Sequence, residues 1–387
     1  MATTELERAQ VLSNRRLSYA GLAAFLPTGV LTTLLGPMLP LLIARWQLSD
    51  AQAGNLFLVQ FFSQMLGVQL AGVLMARRGY RPAFLLGLLL MAGGSATLLM
   101  GSAALGMAAV GLYGLGLGMI IPTDSLLVAE ISPPDSRASA MNLLNFFWGA
   151  GAVMCSLMIA WAAAHGMVPV FLGFVSAVLI VLAVAAWGLQ FPAASRAGDG
   201  EVRWRELARN PVIWLFAAVF FLYPGAETAV GGWIGSYVAR LGPLGTRWAP
   251  LMPAFFWAAL TAGRGLGSLI VSDIYERRIL RAGFATAAAG IVLLLVSPSL
   301  PGVILGAMVT GLSFATLYPI TVARLSHHFG VTARSIGAFM FTLAALGPAV
   351  ISWLVGVTSQ ATGSLRSGLL LPLGATVVLL VIHLRDW

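Results

Sequence analysis

Twelve stretches of this chain are each apolar over about 20 residues, the length that a helix needs to cross a bilayer. They lie near 17–44, 53–75, 82–100, 104–129, 138–163 and 167–190, then, after a polar interval, near 211–239, 248–271, 280–297, 301–325, 333–358 and 366–384. No soluble fold hides so much apolar surface. Only 9% of the 387 residues are charged, against about 25% in soluble domains. Within lipid the backbone must satisfy its own hydrogen bonds, which leaves helices or a closed barrel. The runs are too long for barrel strands and do not alternate. The sequence predicts an all-α integral membrane protein with 12 transmembrane helices.

Orientation follows from arginine. All 22 basic residues are Arg, giving a net charge of +9. They sit in short loops between apolar runs, a pattern of bilayer orientation rather than of nucleic-acid binding, so the lipid bilayer is an expected partner and nucleic acid is not. With both termini cytoplasmic, 17 arginines fall on the cytoplasmic side. Four (Arg45, Arg240, Arg247, Arg366) fall opposite and Arg264 lies inside a span. The expected location is a bacterial inner (cell) membrane. Residues 1–16 are polar, lack the apolar core of a signal peptide and read as a cytoplasmic tail. The expected domains are that tail, a six-helix bundle over 17–191, a cytoplasmic linker over 192–210 and a second bundle over 211–387. Cys155 is the only cysteine, and the four histidines form no ligand pattern. No metal or other cofactor is expected.

The halves repeat at an offset of about 197 residues. Gly114-Leu115 precedes Pro122 as Gly311-Leu312 precedes Pro319, Arg137 matches Arg334, and Gly67 falls within a residue of Gly263. Two pseudo-symmetric six-helix bundles joined by a polar linker imply a solute site near the bilayer midplane.

Ionisable groups at the bilayer centre cost roughly 2.5–3.5 kcal/mol on insertion scales. Three lie well inside spans: Asp124, Glu227 and Arg264. Glu227 and Arg264 are about equally far from the turn between the seventh and eighth spans, so they lie at similar depth and can pair. A buried pair offers little net stability over apolar packing, which favours a gated ion pair or proton site over a static tie. Asp124, toward the cytoplasmic end of the fourth span, fits two readings: a coupling carboxylate, or an interfacial acid near arginines. Gln60 and Gln64 share one helix face, and Asn142 and Asn145 another. Amides donate and accept, which suits a hydroxyl-rich solute. Hydrogen bonding between helices is the alternative; the asparagines are assigned to the solute, and the glutamines fit both. Aromatic residues cluster nearby: Phe146, Phe147, Trp148, Tyr223, Trp233, Tyr237, Trp257 and Tyr318. Trp148, Trp233 and Trp257 lie deep enough to stack on a solute, whereas Trp46, Trp248 and Trp387 read as interfacial. Proline in the first span (Pro27, Pro37, Pro40), the seventh (Pro224) and the eleventh (Pro348) removes backbone hydrogen bonds, so these helices are expected to rock or gate.

Gly72-Val-Leu-Met-Ala-Arg77-Arg78-Gly-Tyr80-Arg81 and Glu130-Ile-Ser-Pro-Pro-Asp-Ser-Arg137 resemble loop signatures of the major facilitator superfamily, with Ala76 where the family's first signature has Asp. The resemblance covers nearly the whole chain. It implies that Arg77, Glu130 and Arg137 take part in ion pairs between halves that form and break during transport. The segments 225–233, 256–264 and 142–150 resemble a narrower group, the fucose–galactose–glucose permeases. Proton-coupled members carry acids in their first and fourth helices. Here the first span has none, and Asp124 sits about a turn from the expected place, so proton coupling does not carry over directly.

The expectation is a secondary active or facilitated transporter, not an enzyme. It would act as a monomer, moving a small polar solute, a sugar, by alternating access, with protons or another ion as coupling partner. Its solute-binding residues would be Gln60, Gln64, Asn142, Asn145, Trp148, Glu227, Trp233, Trp257 and Tyr318. Coupling and gating would fall to Asp124, Glu227, Arg264, Arg77, Glu130 and Arg137. Export of amphiphilic compounds is the alternative.

Overall fold

Apolar segments that meet no water satisfy their peptide groups within a helix, and among the described residues each predicted span is helical over most of its length. The computed structural model describes residues 2–133, 136–192, 209–270, 276–329 and 333–384. Its helices are α1 (Ala2–Thr33), α2 (Leu35–Trp46), α3 (Asp50–Arg78), α4 (Tyr80–Thr97), α5 (Ala103–Ile131), α6 (Arg137–Ala164) and α7 (Val168–Trp187). Then follow α8 (Pro211–Ala239), the short α9 (Pro243–Trp248), α10 (Met252–Ile270), α11 (Glu276–Val296), α12 (Leu300–Phe314), α13 (Leu317–Phe329), α14 (Ala333–Thr362), the short α15 (Leu365–Gly368) and α16 (Leu370–Leu384). Nine spans among the described residues are long and apolar enough to cross a membrane, or ten with the bent α1–α2 pair counted as one. The remaining two predicted spans correspond to α4 and α10, which carry Arg81 and Arg264. The chain is an all-α, multi-pass membrane protein.

Three details differ from expectation. Residues 2–16 continue α1 rather than forming a separate tail. The first span bends by 44° at Leu34, whereas α8 and α14 run unbroken past Pro224 and Pro348. The tenth span instead breaks at Ala315–Thr316, just before Pro319, which has no N–H to continue the ladder. Most of the predicted linker, residues 193–208, and Trp387 lie outside the described residues.

By internal contacts the chain forms two units. One comprises Met1–Leu34 with Phe62–Ala197, the other Leu35–Phe61 with Gly198–Trp387. In the first, α4 packs on α5 and α7, and α1 on α6 and α5. In the second, α8 packs on α14, α16 and α2, while α12 lies against α10 and α11.

The repeat is visible in the packing inside each unit. Gly67 abuts the Leu115 carbonyl and Gly118, and Gly263 abuts Leu312 and Ala315. A side chain at Gly67 would drive into backbone, so the close approach requires glycine there. Gly94 meets Ala109 and Tyr113 as Gly290 meets Gly306 and Thr310. At the helix ends, Arg81 donates to the Trp187 carbonyl of α7, and Arg281 donates to the His383 carbonyl of α16 at 2.7 Å. A cation there satisfies C-terminal carbonyls and complements the helix dipole.

Candidate transport site

In the first unit, α5 carries Asp124 to its contact with α1. The carboxyl group is fully buried, and neither oxygen has a hydrogen-bond partner among the described residues. The space it occupies is made by Gly21 of α1, where a side chain would collide with Asp124 Oδ1. Beside this site Phe25, Val128 and Leu144 form an apolar cluster joined by Met141, Phe147 and Trp148. A charged carboxylate without donor or cation costs several kcal/mol in such surroundings.

On α6, Asn142 and Asn145 are exposed, and Asn145 Nδ2 donates to the Met141 carbonyl of its own helix at 2.9 Å. The Trp148 indole N–H donates to Thr32 Oγ1 at 3.4 Å, tying α6 to α1. Gln64 is half-buried, with Oε1 unpartnered. At the far end of α3 and beyond, Arg77 and Arg137 are exposed. Glu130 accepts the Tyr80 phenol at 2.5 Å. Burial, with the hydrogen bond to Glu130, raises the Tyr80 phenol above its usual range.

The second unit handles its charge differently. Tyr223 and Glu227 are one turn apart on α8, and the Tyr223 phenol donates to Glu227 Oε2. Arg264 Nη2 of α10 lies 3.8 Å from the same oxygen, an ion-pair contact longer than a hydrogen bond. Tyr223 Oη is also 2.7 Å from the Phe314 carbonyl, at the last residue of α12 before the break. One phenolic proton thus faces two acceptors. Tyr318 of α13 stacks on Tyr223 with ring centroids 5.8 Å apart and planes 19° apart. The Glu227 side chain is 11% exposed and that of Arg264 26%. Among the described residues, the structure thus brings together Glu227, Arg264 and Tyr318.

Gln60, Trp233 and Trp257 are also buried. Gln60 is fully buried. Trp233 is fully buried and donates its indole N–H to the Ser352 carbonyl at 3.0 Å, with Phe57 against its ring at 5.8 Å. Trp257 is almost buried against Gly231 and Phe256. Sequence reasoning missed Asp50. Its carboxylate takes Arg240 on both oxygens and Ser359 Oγ at 2.5 Å. The only signal was two opposite charges at span ends, Asp50 at the second and Arg240 at the seventh, with Arg240 among four arginines on that side.

A helical membrane protein with repeated halves and intramembrane charges in both invites comparison with known carriers. Residues 21–352 match the family model of the Major Facilitator Superfamily. The chain belongs to this superfamily. It is therefore a transporter. An uncharacterised MFS-type transporter of Yersinia pestis is 25% identical over 348 residues, covering 87% of this chain and 88% of the relative. A glucose/galactose transporter of Brucella abortus is 25% identical over 369 residues, covering 88% and 86%. A crystal structure of the E. coli fucose:proton symporter superposes with a TM-score of 0.65 at 18% identity, covering 96% of this chain and 98% of that one, and shares the fold.

Proposed function

We propose that this facilitator carries a small polar solute, a sugar of the hexose or 6-deoxyhexose class, by alternating access. The observation that carries the reading is the polar and aromatic cluster of Tyr223, Glu227, Arg264 and Tyr318. It combines hydrogen-bonding groups for hydroxyls with ring faces for the apolar faces of a sugar. The glucose/galactose transporter similar over most of both chains supports the same class. We assign solute contacts to Asn142, Asn145 and Trp148 in the first unit and to Glu227 and Tyr318 in the second. Gln60 and Gln64 take a lesser part. Trp233 and Trp257, both buried, shape the surrounding packing.

Coupling in this reading belongs to Asp124. A buried carboxyl group with neither donor nor cation is least costly when it carries a proton. Releasing that proton to one side and accepting it from the other links solute movement to a gradient. Glu227, held by Arg264 and Tyr223, serves as a gate. In this reading the protein acts as a monomer in a bacterial inner membrane, and the arginine distribution supports an orientation with both termini cytoplasmic. Arg77, Glu130 and Arg137 contribute gating contacts on that side. Export of amphiphiles is not favoured, since the cluster is charged and the similar curated carrier is named for hexoses.

Counterflow in proteoliposomes tests the reading. Vesicles preloaded with unlabelled sugar are given labelled sugar outside, with no imposed gradient. Saturable counterflow with a hexose or 6-deoxyhexose is expected. Silence across a sugar panel, from folded protein, would overturn the substrate class.

A further inference from the structure

The outward surface of α7 lies far from the charged groups of either unit in chemistry: it is apolar along its length. Among the nine single spans of the described residues α7 holds the most apolar stretch, yet only 39% of that stretch is buried within the protein. Val170, Phe174, Ala177, Val181 and Val184 are all exposed. They recur every three or four residues and so form one stripe along the helix. On a multi-pass membrane protein such a stripe faces lipid.

At its α6 end the stripe runs into a cavity of about 300 Å³. Met158 and Trp161 of α6, Met167 of the turn, and Val170, Phe171 and Phe174 of α7 line it, and the lining is wholly apolar. Trp161, Val170 and Phe174 are each more than half exposed, so the cavity opens outward. Local structure builds it. Gly166 takes φ 68° after the last turn of α6. Its N–H donates to the Ala163 carbonyl at 3.3 Å, and the Met167 N–H donates to the Ala162 carbonyl at 2.7 Å. This glycine cap folds the next residue back toward the last turn of the helix, which brings Met167 to the same cavity as Trp161. The His165 ring packs on Trp161 with centroids 4.8 Å apart, and its Nδ1 lies 2.8 Å from the Trp161 carbonyl. A Trp–His pair at the end of a span marks the depth of the membrane–water interface.

A cavity that opens onto hydrocarbon is filled by hydrocarbon. Left empty it forfeits dispersion contacts, and water finds no partner on an apolar wall. The occupant must be long, flexible and apolar, with a polar end at the depth of His165. A phospholipid acyl chain meets each demand. Lipid tails are as apolar as the wall, so packing, rather than burial, separates this chain from its neighbours in the bilayer. Met158 and Met167 adapt their shape to such a chain. We propose that the cavity binds an acyl chain of a bilayer phospholipid as a resident lipid. Its tail continues along the 170–184 stripe, and its headgroup sits beside His165. The site does not depend on which solute is carried.

Native mass spectrometry of the full-length protein, purified in detergent that strips loosely held lipid, reads the site directly. A retained phospholipid is expected on the wild type. Val170→Trp fills the cavity from an exposed position and should abolish retention. Val184→Trp, on the same stripe but outside the cavity, should leave it unchanged. Equal retention in wild type and Val170→Trp, no retention in wild type, or loss in both variants would each overturn the site. A second measurement adds stoichiometric phosphatidylcholine, brominated on one chain, to delipidated protein in detergent. Tryptophan emission should be quenched in the wild type, and most of that quenching should be lost in Trp161→Phe. Equal quenching in the two proteins would place the lipid elsewhere and overturn the proposal. Trp161→Phe keeps an aromatic wall, so this test stands even where Val170→Trp fails to fold.

Discussion

The two units are built on one packing plan and hold their buried charge in opposite ways. Gly67 and Gly263 meet equivalent neighbours, as do Gly94 and Gly290. Their acids do not correspond. At the repeat offset of 197, the counterpart of Asp124 is Thr321, buried with its hydroxyl turned back to the Leu317 carbonyl at 2.8 Å. The counterpart of Glu227, 196 residues earlier, is Leu31, fully buried. Among the described residues Asp124 is a carboxyl group with no hydrogen-bond partner, whereas Glu227 has a phenol and a guanidinium. Packing is thus set by the repeat, and chemistry by where the halves diverge. A lone acid can change its proton count without breaking an ion pair; a paired acid changes its partner contacts when it does.

The difference can be broken most forcefully in the second unit. Arg264→Gln leaves Glu227 with the Tyr223 phenol but no cation and should cost about 3 kcal/mol, the scale for removing one partner of a buried pair. Adding Glu227→Gln should recover most of that loss in denaturant unfolding in detergent. A double variant as unstable as the single one would show that the two side chains are not coupled. Tyr223→Phe removes one donor from Glu227 and from the Phe314 carbonyl, with an expected cost of about 1–2 kcal/mol by the same measurement. The smallest effect belongs to the lone acid. On the proposal that Asp124 carries a proton, Asp124→Asn exchanges one neutral group for another of like shape and should change stability by less than about 1.5 kcal/mol. A loss as large as that of Arg264→Gln would mean that Asp124 is charged and paired after all.

Much of this was legible in the chain itself. Apolar runs located the long helices, because lipid leaves a long apolar segment no other way to satisfy its backbone. The matched glycines announced the repeat, because close helix approach tolerates little else. Counting from a shared turn brought Glu227 and Arg264 to one depth, and they stand 3.8 Å apart. The rest depends on helix rotation and tertiary contact, to which spacing is blind. Trp233 and Tyr318 look alike in sequence. Yet one is sealed on Ser352, and the other stacks beside an ion pair. Asp50 and Arg240 looked like ordinary loop-end charges, since only the packing of α2 on α8 brings them together. The break at Ala315–Thr316 was hidden by an apolar run that continues through it.

Solute accumulation under an imposed proton gradient, of either polarity, puts the comparison between the two units to its most direct test, with wild-type and Asp124→Asn proteins reconstituted side by side. The account predicts that Asp124→Asn keeps wild-type counterflow and loses accumulation, because exchange needs alternating access alone while accumulation needs the lone acid to carry a proton. Accumulation retained at the wild-type level in Asp124→Asn would contradict it and move the coupling role from the first unit to the paired Glu227 of the second.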